Sequence, residues 1–196
     1  IAIQSILKRY QKQNLPRSLS VFIGNVSAAE QGLRRLENQP DYNRAWPGGE
    51  AEVSDETIMM QQVFDEMQNR HVFASIDIHN NSGYNPHYAC INELDGRFLM
   101  LAAWFTDICV YFTRPTGVQS LAFADICPSI TLECGQTGDE QGVLRAIKFI
   151  DDCLNIESWE TKTSLSPVKI LHTIATVKVP EDVSIGFNRS GDALDF

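Results

Sequence analysis

Three short stretches of the chain bring together residue types able to do chemistry. The first is Asp77-Ile78-His79-Asn80-Asn81-Ser82-Gly83. In a β-strand, side chains at i and i+2 share a face, so Asp77 and His79 point the same way. A carboxylate beside an imidazole fixes its tautomer and raises its basicity, as it does behind a metal-bound histidine. A strand end that spills into a glycine-containing loop is also where α/β sheets place ligands. The plain alternative is a histidine satisfied at a strand end. The second stretch is Thr131-Leu132-Glu133-Cys134-Gly135. An acid ending a run of buried residues is costly unless it is paired, metal-adjacent or reached by solvent. Such a carboxylate can act as general base on a metal-bound water, or it can simply meet solvent. The third is Asp41-Tyr42-Asn43-Arg44-Ala45-Trp46-Pro47-Gly48, with Arg34 and Arg35 just before it. An Asn–Arg pair in a stiff loop supplies planar donors, and arginine grips a carboxylate through two parallel hydrogen bonds. A solvated loop arginine is the ordinary alternative. His71, His87 and His172 read as structural or surface residues.

The elements that must position these residues follow from periodicity and caps. Ile3, Ile6, Leu7 and Tyr10 sit at helical spacing, so residues 1–14 read as the tail of an amphipathic helix that ends at Leu15-Pro16. Ser20–Gly24 (SVFIG) is a short apolar run bounded by turn residues and reads as a buried strand. Ser27, with Glu30 three residues on, predicts a capped short helix. Residues 37–53 hold Pro40, Pro47, Gly48 and Gly49, too irregular for a helix and long enough to suggest a functional loop. Ser54-x-x-Thr57 caps a helix to about Arg70, and His71–His79 follows as a strand. Helical spacing returns at 97–108, a buried strand at Ile130–Glu133, and a helix at Asp139–Leu154. Short β-rich runs alternating with helices predict an α/β layered domain. From residue 168 to 179 apolar and polar positions alternate before Pro180, the pattern of a half-exposed antiparallel strand opening a second, β-rich region. The chain thus divides into an α/β domain, 1–157, and a β-rich C-terminal segment, 158–196.

Composition narrows the partners. Lys and Arg number 16 against 25 Asp and Glu, a net charge of −9 that repels phosphate backbones and anionic lipid. Nucleic acid and membrane surfaces are therefore not expected partners, and no apolar run approaches the roughly 20 residues of a bilayer span. Five widely spaced cysteines without a C-x-x-C pair suit small buried hydrophobes in a reducing cytosol, not a disulfide framework.

Taken together and in order, N-x-x-A-x-x-x-G-x-R-R (Asn25–Arg35), D-Y-N-R-A-W-P-G, D-I-H-N-N-S-G and T-L-E-C-G resemble the zinc carboxypeptidase superfamily. The resemblance is greatest to its succinylglutamate desuccinylase/aspartoacylase branch and covers residues 20–155. It implies a three-layer α/β/α fold with a mixed central sheet. It implies that His79 is a zinc ligand and Glu133 the general base, that Asn43 and Arg44 hold a substrate carboxylate, and that Arg35 polarises the scissile carbonyl. Zinc would lower the pKa of its bound water, Glu133 would take the proton, and hydroxide would attack an amide. The implied substrate is an N-acyl amino acid or a similar small molecule with a free carboxylate. The alternatives are a carboxypeptidase acting on peptides or cell-wall fragments, and a binding module that has lost its metal site.

One departure is plain. The branch takes its first two zinc ligands from an H-x-x-E motif ahead of a helix, and none of the 196 residues forms one. The helix that follows that motif corresponds to Ile1–Gln13, so the resemblance implies that the motif lies upstream of Ile1.

Overall fold

The computed structural model describes residues 1–159, 167–175 and 177. A mixed five-stranded sheet forms the middle layer, its strands β1 (Ser75–Asn81), β2 (Tyr88–Ile91), β3 (Ile108–Tyr111), β4 (Ser129–Gln136) and β5 (Lys169–His172). The spatial order is β1-β4-β2-β3-β5. β4 runs parallel to β1 and antiparallel to β2, while β2, β3 and β5 are mutually parallel.

Strand alternation divides the sheet into two unlike faces. Ile76 and Ile78, Ile130, Leu132 and Cys134, Ala89 and Ile91, and Cys109 and Tyr111 point to one side. Against that side pack α4 (Gly96–Phe105) and α6 (Glu140–Asn155), and α1 (Ala2–Arg9) leans on α6. Phe98 and Phe149 are fully buried there, each worth about 1.5–3 kcal/mol of hydrophobic stabilisation. Asp139 caps α6 by accepting from Gly142 N, and Arg9 and Tyr10 fasten the first helix through Asp151.

The opposite layer is α3 (Asp55–Gln68) and α5 (Gln119–Ala124). The capping box read from Ser54 and Thr57 forms, with Ser54 N donating to Thr57 Oγ1 at 2.8 Å. Asp55 and Glu56 in the first turn suit the positive end of the helix dipole. Phe64 of α3 and Trp46 of the 41–49 loop both meet Phe123 of α5 edge-on, at 5.6 Å between ring centroids. These contacts hold loop, helix and sheet together. The three-layer α/β expectation is met.

Several local expectations are corrected. Ser20–Gly24 is irregular and forms no strand, and its Val21, Phe22 and Ile23 are 38%, 40% and 64% exposed. The short helix α2 (Val26–Glu30) is capped by Asn25, whose side chain accepts from Ala28 N, and not by Ser27. The 168–179 run contributes β5, but as a parallel neighbour of β3 at the edge of the main sheet, not as an antiparallel strand. Tyr111 and His172, side by side in that pairing, pack their rings 4.8 Å apart. Residues 178–196 of the expected β-rich segment lie outside the described residues. All five cysteines are buried and none forms a disulfide, with burial pushing the Cys109, Cys127 and Cys134 thiols up to about 12. No described helix is long and apolar enough to cross a membrane.

Candidate functional site

The second face of the sheet is polar across β1 and β4 and into β2, and turns apolar at Val110 of β3 and Leu171 of β5. Ser75, Asp77 and His79 of β1, Ser129, Thr131 and Glu133 of β4, and Tyr88 and Cys90 of β2 all point to it. Register sets His79 opposite Glu133 and Glu133 opposite Tyr88, so the three form one row across three strands. Asp77, Thr131 and Cys90 form the next row. Adjacent strands lie about 4.8 Å apart, within the reach of side chains on one face. α5 covers the serine end of this face, where Gln119 Nε2 donates to Ser75 Oγ. The row of His79, Glu133 and Tyr88 lies beyond it, at the C-terminal ends of the parallel pair β1 and β4.

His79 Nε2 is 2.8 Å from Asp77 Oδ2, which places the ring proton on Nε2. That leaves the Nδ1 lone pair for another partner. Burial pulls the His79 pKa down, but the Asp77 hydrogen bond and the Asp77 and Glu133 charges outweigh it, and the net direction is up. Burial likewise lifts Glu133 above the ordinary carboxylate range. His79, the Asn81 amide and Arg34 oppose that shift, while Asp77 adds to it. Glu133 Oε2 and both amide atoms of Asn81 are buried without a well-formed hydrogen bond. Orphaned buried polar atoms of this kind mark a place for a water, ion or substrate. Tyr88 is raised by burial and by the Glu133 charge, so its phenol stays a hydrogen-bond donor.

The 41–49 loop reaches this row from the side. Asp41 caps a 3-10 turn, Tyr42–Arg44, by accepting from Asn43 N at 3.0 Å. Asn43 is held through its Oδ1, which accepts from Gln119 N at 3.2 Å, and this sets its Nδ2 3.4 Å from His79 Nε2, beside the ring nitrogen whose proton goes to Asp77. Behind the turn, Trp46 N donates to Gly117 O at 3.1 Å. Gly117 has φ of 74°, and a Cβ there would run into the Arg44 carbonyl. Gly49 packs as closely, since a Cβ on it would lie 2.7 Å from Gly117 Cα. Two side-chain-free positions thus let two loops touch through their backbones and aim Asn43 at His79.

The sequence-derived residues fare unequally. His79, Glu133 and Asn43 come together. Arg44 follows Asn43 in the same turn, exposed, its guanidinium donating to the Asn43 carbonyl. Arg35 is not brought to the cluster, because its guanidinium donates to Gln39 O at 3.3 Å in the exposed loop. Arg34 is the arginine whose charge acts on His79 and Glu133, and it pairs with Asp41 at 2.7 Å. Gln119 and Asn81 belong to the site without having been singled out. Asn81 is signalled only by lying two residues beyond His79, and Gln119 by nothing local.

A zinc ion takes three protein ligands at a catalytic site. Among the described residues, no group of three His, Cys, Asp or Glu side chains converges in that way. His79 backed by Asp77 has the form of one ligand and its outer partner. The described residues alone therefore do not fit a zinc ion.

These features define a class of site: a histidine–carboxylate pair and a second, half-buried carboxylate at the ends of adjacent parallel strands in a mixed sheet. No family model and no curated protein matches the sequence. Solved structures do. The succinylglutamate desuccinylase of Chromobacterium violaceum matches with a TM-score of 0.66 at 15% identity, over 93% of this chain and 66% of that one. The enzyme of that name from Vibrio parahaemolyticus matches at 0.61 and 16% identity, over 86% of this chain and 55% of that one. A succinylglutamate desuccinylase/aspartoacylase of Rhodobacter sphaeroides matches at 0.59 and 17%, over 78% and 50%. The chain has the succinylglutamate desuccinylase/aspartoacylase fold, and it spans between half and two thirds of the length of these proteins.

Proposed function

We propose that this chain carries the catalytic face of a hydrolase that cleaves the amide bond of an N-acyl amino acid. The observation that supports this most is the row His79–Glu133–Tyr88, with Asn43 held beside it by the Gln119 backbone. Glu133 is the base: its free Oε2 accepts a proton from water, and its raised pKa suits it to return that proton to the leaving amine. Tyr88, kept protonated beside Glu133, donates a hydrogen bond toward charge that develops on the substrate. Asn43 and Arg44 take the substrate carboxylate, Asn43 already positioned and Arg44 released from its backbone contact. Zinc belongs to this proposal only with ligands from outside the described residues, His79 being the one this chain supplies. Such an ion would supply Lewis-acid stabilisation of the carbonyl oxygen.

The test is release of free amine by the full encoded protein, supplied with zinc, from N-succinylglutamate, N-acetylaspartate and other acylated amino acids. C-terminal peptide substrates run in parallel. Cleavage of the acylated amino acids alone is expected. Cleavage of the peptides alone would replace the proposal with a carboxypeptidase. Binding of acylated amino acids without turnover would replace it with a binding module.

A further inference from the structure

The antiparallel ladder between β2 and β4 ends on the pair Tyr88 and Glu133. Ladders fray from their ends, where a residue is held from one side only. Beyond this end β4 turns away through Gly135, whose φ is 75°, and β2 is entered from the irregular stretch 82–87. The two residues that the proposed reaction pairs therefore stand where the ladder by itself holds weakly.

A second histidine–carboxylate pair lies behind that end, on the side of the sheet that α6 covers. His87 Nε2 is 2.9 Å from Asp139 Oδ2, and the His87 side chain is 12% exposed. The carboxylate acceptor sets the ring proton on Nε2. Asp139 is the N-cap of α6, and its other oxygen accepts from Gly142 N at 3.0 Å. The His87 hydrogen bond is the chief cause holding the Asp139 carboxyl below its usual range, so the acceptor stays charged. The His87 carbonyl accepts in turn from Thr106 Oγ1 at 2.9 Å, and Thr106 is the buried C-cap of α4. Ring and carbonyl are thus tied to two different helices.

One of those helices is fixed against the backbone that carries Glu133. Gly142 of α6 sits so close to β4 that a Cβ on it would run into the Cys134 carbonyl, one residue past Glu133. A Cβ on Gly135 would collide with Asp139 Oδ2 and stand 3.1 Å from His87 Nε2. Two positions without a side chain therefore let the start of α6 and the His87–Asp139 pair seat directly on the exit of β4. Asp139 becomes a fixed point on the Glu133 side, and His87 passes that position to the next residue, Tyr88.

We propose that His87 is a positioning residue for the hydrolysis: bound to Asp139, it fixes the start of β2 and so holds the Tyr88 phenol beside Glu133. The inference rests on the catalytic reading of Tyr88 and Glu133. Strand alternation puts His87 on the opposite face from Glu133, so it acts on the reaction only through the backbone it shares with Tyr88. A histidine that spacing alone marks as structural or surface thereby gains a role in the reaction.

Steady-state kinetics of the full encoded protein, supplied with zinc, on N-acyl amino acids test it. His87→Ala should lower kcat roughly tenfold or more while KM changes less than about twofold, the mark of a misplaced group and not of lost binding. His87→Gln offers an amide N–H to the same carboxylate and should recover most of kcat. Asp139→Ser keeps a helix cap without reaching His87 as well, and should match His87→Ala. In a Tyr88→Phe background His87→Ala should cost no more than about twofold further. A full second loss there, or a raised KM with kcat intact, would overturn the proposal. A readout without turnover separates it from the catalytic reading. In spectra of the protein with isotope-labelled tyrosine, the Tyr88 ring resonances, assigned by their loss in Tyr88→Phe, should shift in His87→Ala and Asp139→Ser and return in His87→Gln. Unmoved resonances in either folded variant would overturn the proposal whatever the activity. Shifted resonances in a protein that cleaves no acylated amino acid would overturn the catalytic reading alone.

Discussion

His79 Nε2 lies 2.8 Å from Asp77 Oδ2, two residues back on the same face of β1. The carboxylate holds the ring proton on Nε2 and leaves Nδ1 as the lone pair directed elsewhere. Asp77→Ala removes both the tautomer lock and a charge that raises His79 and Glu133. Activity should fall about 10–100-fold. Asp77→Asn keeps an acceptor for Nε2–H and should retain more activity than the alanine variant. Steady-state kcat/KM for the two variants is the measurement, and equal losses would reject the tautomer role.

In the proposed reaction Glu133 sets catalysis against stability. Its folded pKa is raised chiefly by burial, so the folded state binds a proton more readily than the unfolded state does. A group shifted in that direction favours folding below its ordinary pKa and disfavours it as pH rises through the folded value. Once ionised, the carboxylate, whose Oε2 makes no well-formed hydrogen bond, therefore works against the fold. Glu133→Gln should abolish turnover while raising Tm near neutral pH by roughly 2–4 °C, equivalent to about 1 kcal/mol. The gain should vanish toward about pH 4, where the wild-type carboxyl is protonated as well. Thermal melts across pH, beside activity, decide it; a lowered Tm at neutral pH would show that the charge is fully satisfied.

Much of this was legible in the sequence wherever a local rule and the tertiary structure agree. Ser54 and Thr57 announce a helix because a capping box is satisfied within four residues. His79 and Glu133 end apolar runs, so their placement at strand ends follows from the runs themselves. Legibility failed where the deciding contact is distant. Ser20–Gly24 has strand composition, but a strand exists only with a ladder partner, and none of the described residues supplies one. β2 and β3 are four residues each, too short to show a period. The C-terminal alternation gave a strand but not its direction, because parallel pairing with β3 is decided by how the chain crosses the sheet. Gln119 enters the site through its backbone N–H, which no side-chain pattern can reveal.

Arg34 and Arg35 are adjacent in an irregular loop, where no periodicity says which one faces inward. The structure separates them by charge. Arg34 acts on Glu133 and lowers its pKa, whereas Arg35 is spent on the Gln39 carbonyl. The proposed base must be ionised, so activity should rise with pH through the Glu133 pKa. Arg34→Ala removes a charge that favours the carboxylate, and the acid limb of the kcat/KM profile should move to higher pH. Because Arg34 is largely exposed, with 59% of its side chain accessible, the displacement should be small and shrink in high salt. Arg35→Ala should leave the limb in place. A shift with Arg35→Ala and none with Arg34→Ala would reverse the assignment.

Gly117 tests whether the loop contact, and not the loop sequence alone, aims Asn43. Its φ of 74° is strained for any side chain, and a Cβ would collide with the Arg44 carbonyl. Neither problem can be relieved without parting the 112–118 loop from the 44–49 loop, which share the Trp46 N to Gly117 O hydrogen bond. Gly117→Ala should therefore destabilise by about 1–3 kcal/mol and displace Asn43 and Arg44 together. Because those residues bind the substrate's carboxylate in the proposed reaction, KM should rise for N-acyl amino acids, while kcat at saturation changes less. Gly32, also at positive φ (68°), has no atom within 4 Å of where its Cβ would stand. Gly32→Ala then serves as the control that carries backbone strain without the loop collision. An equal KM increase in both variants would show that general destabilisation, and not the displacement of Asn43, governs substrate binding.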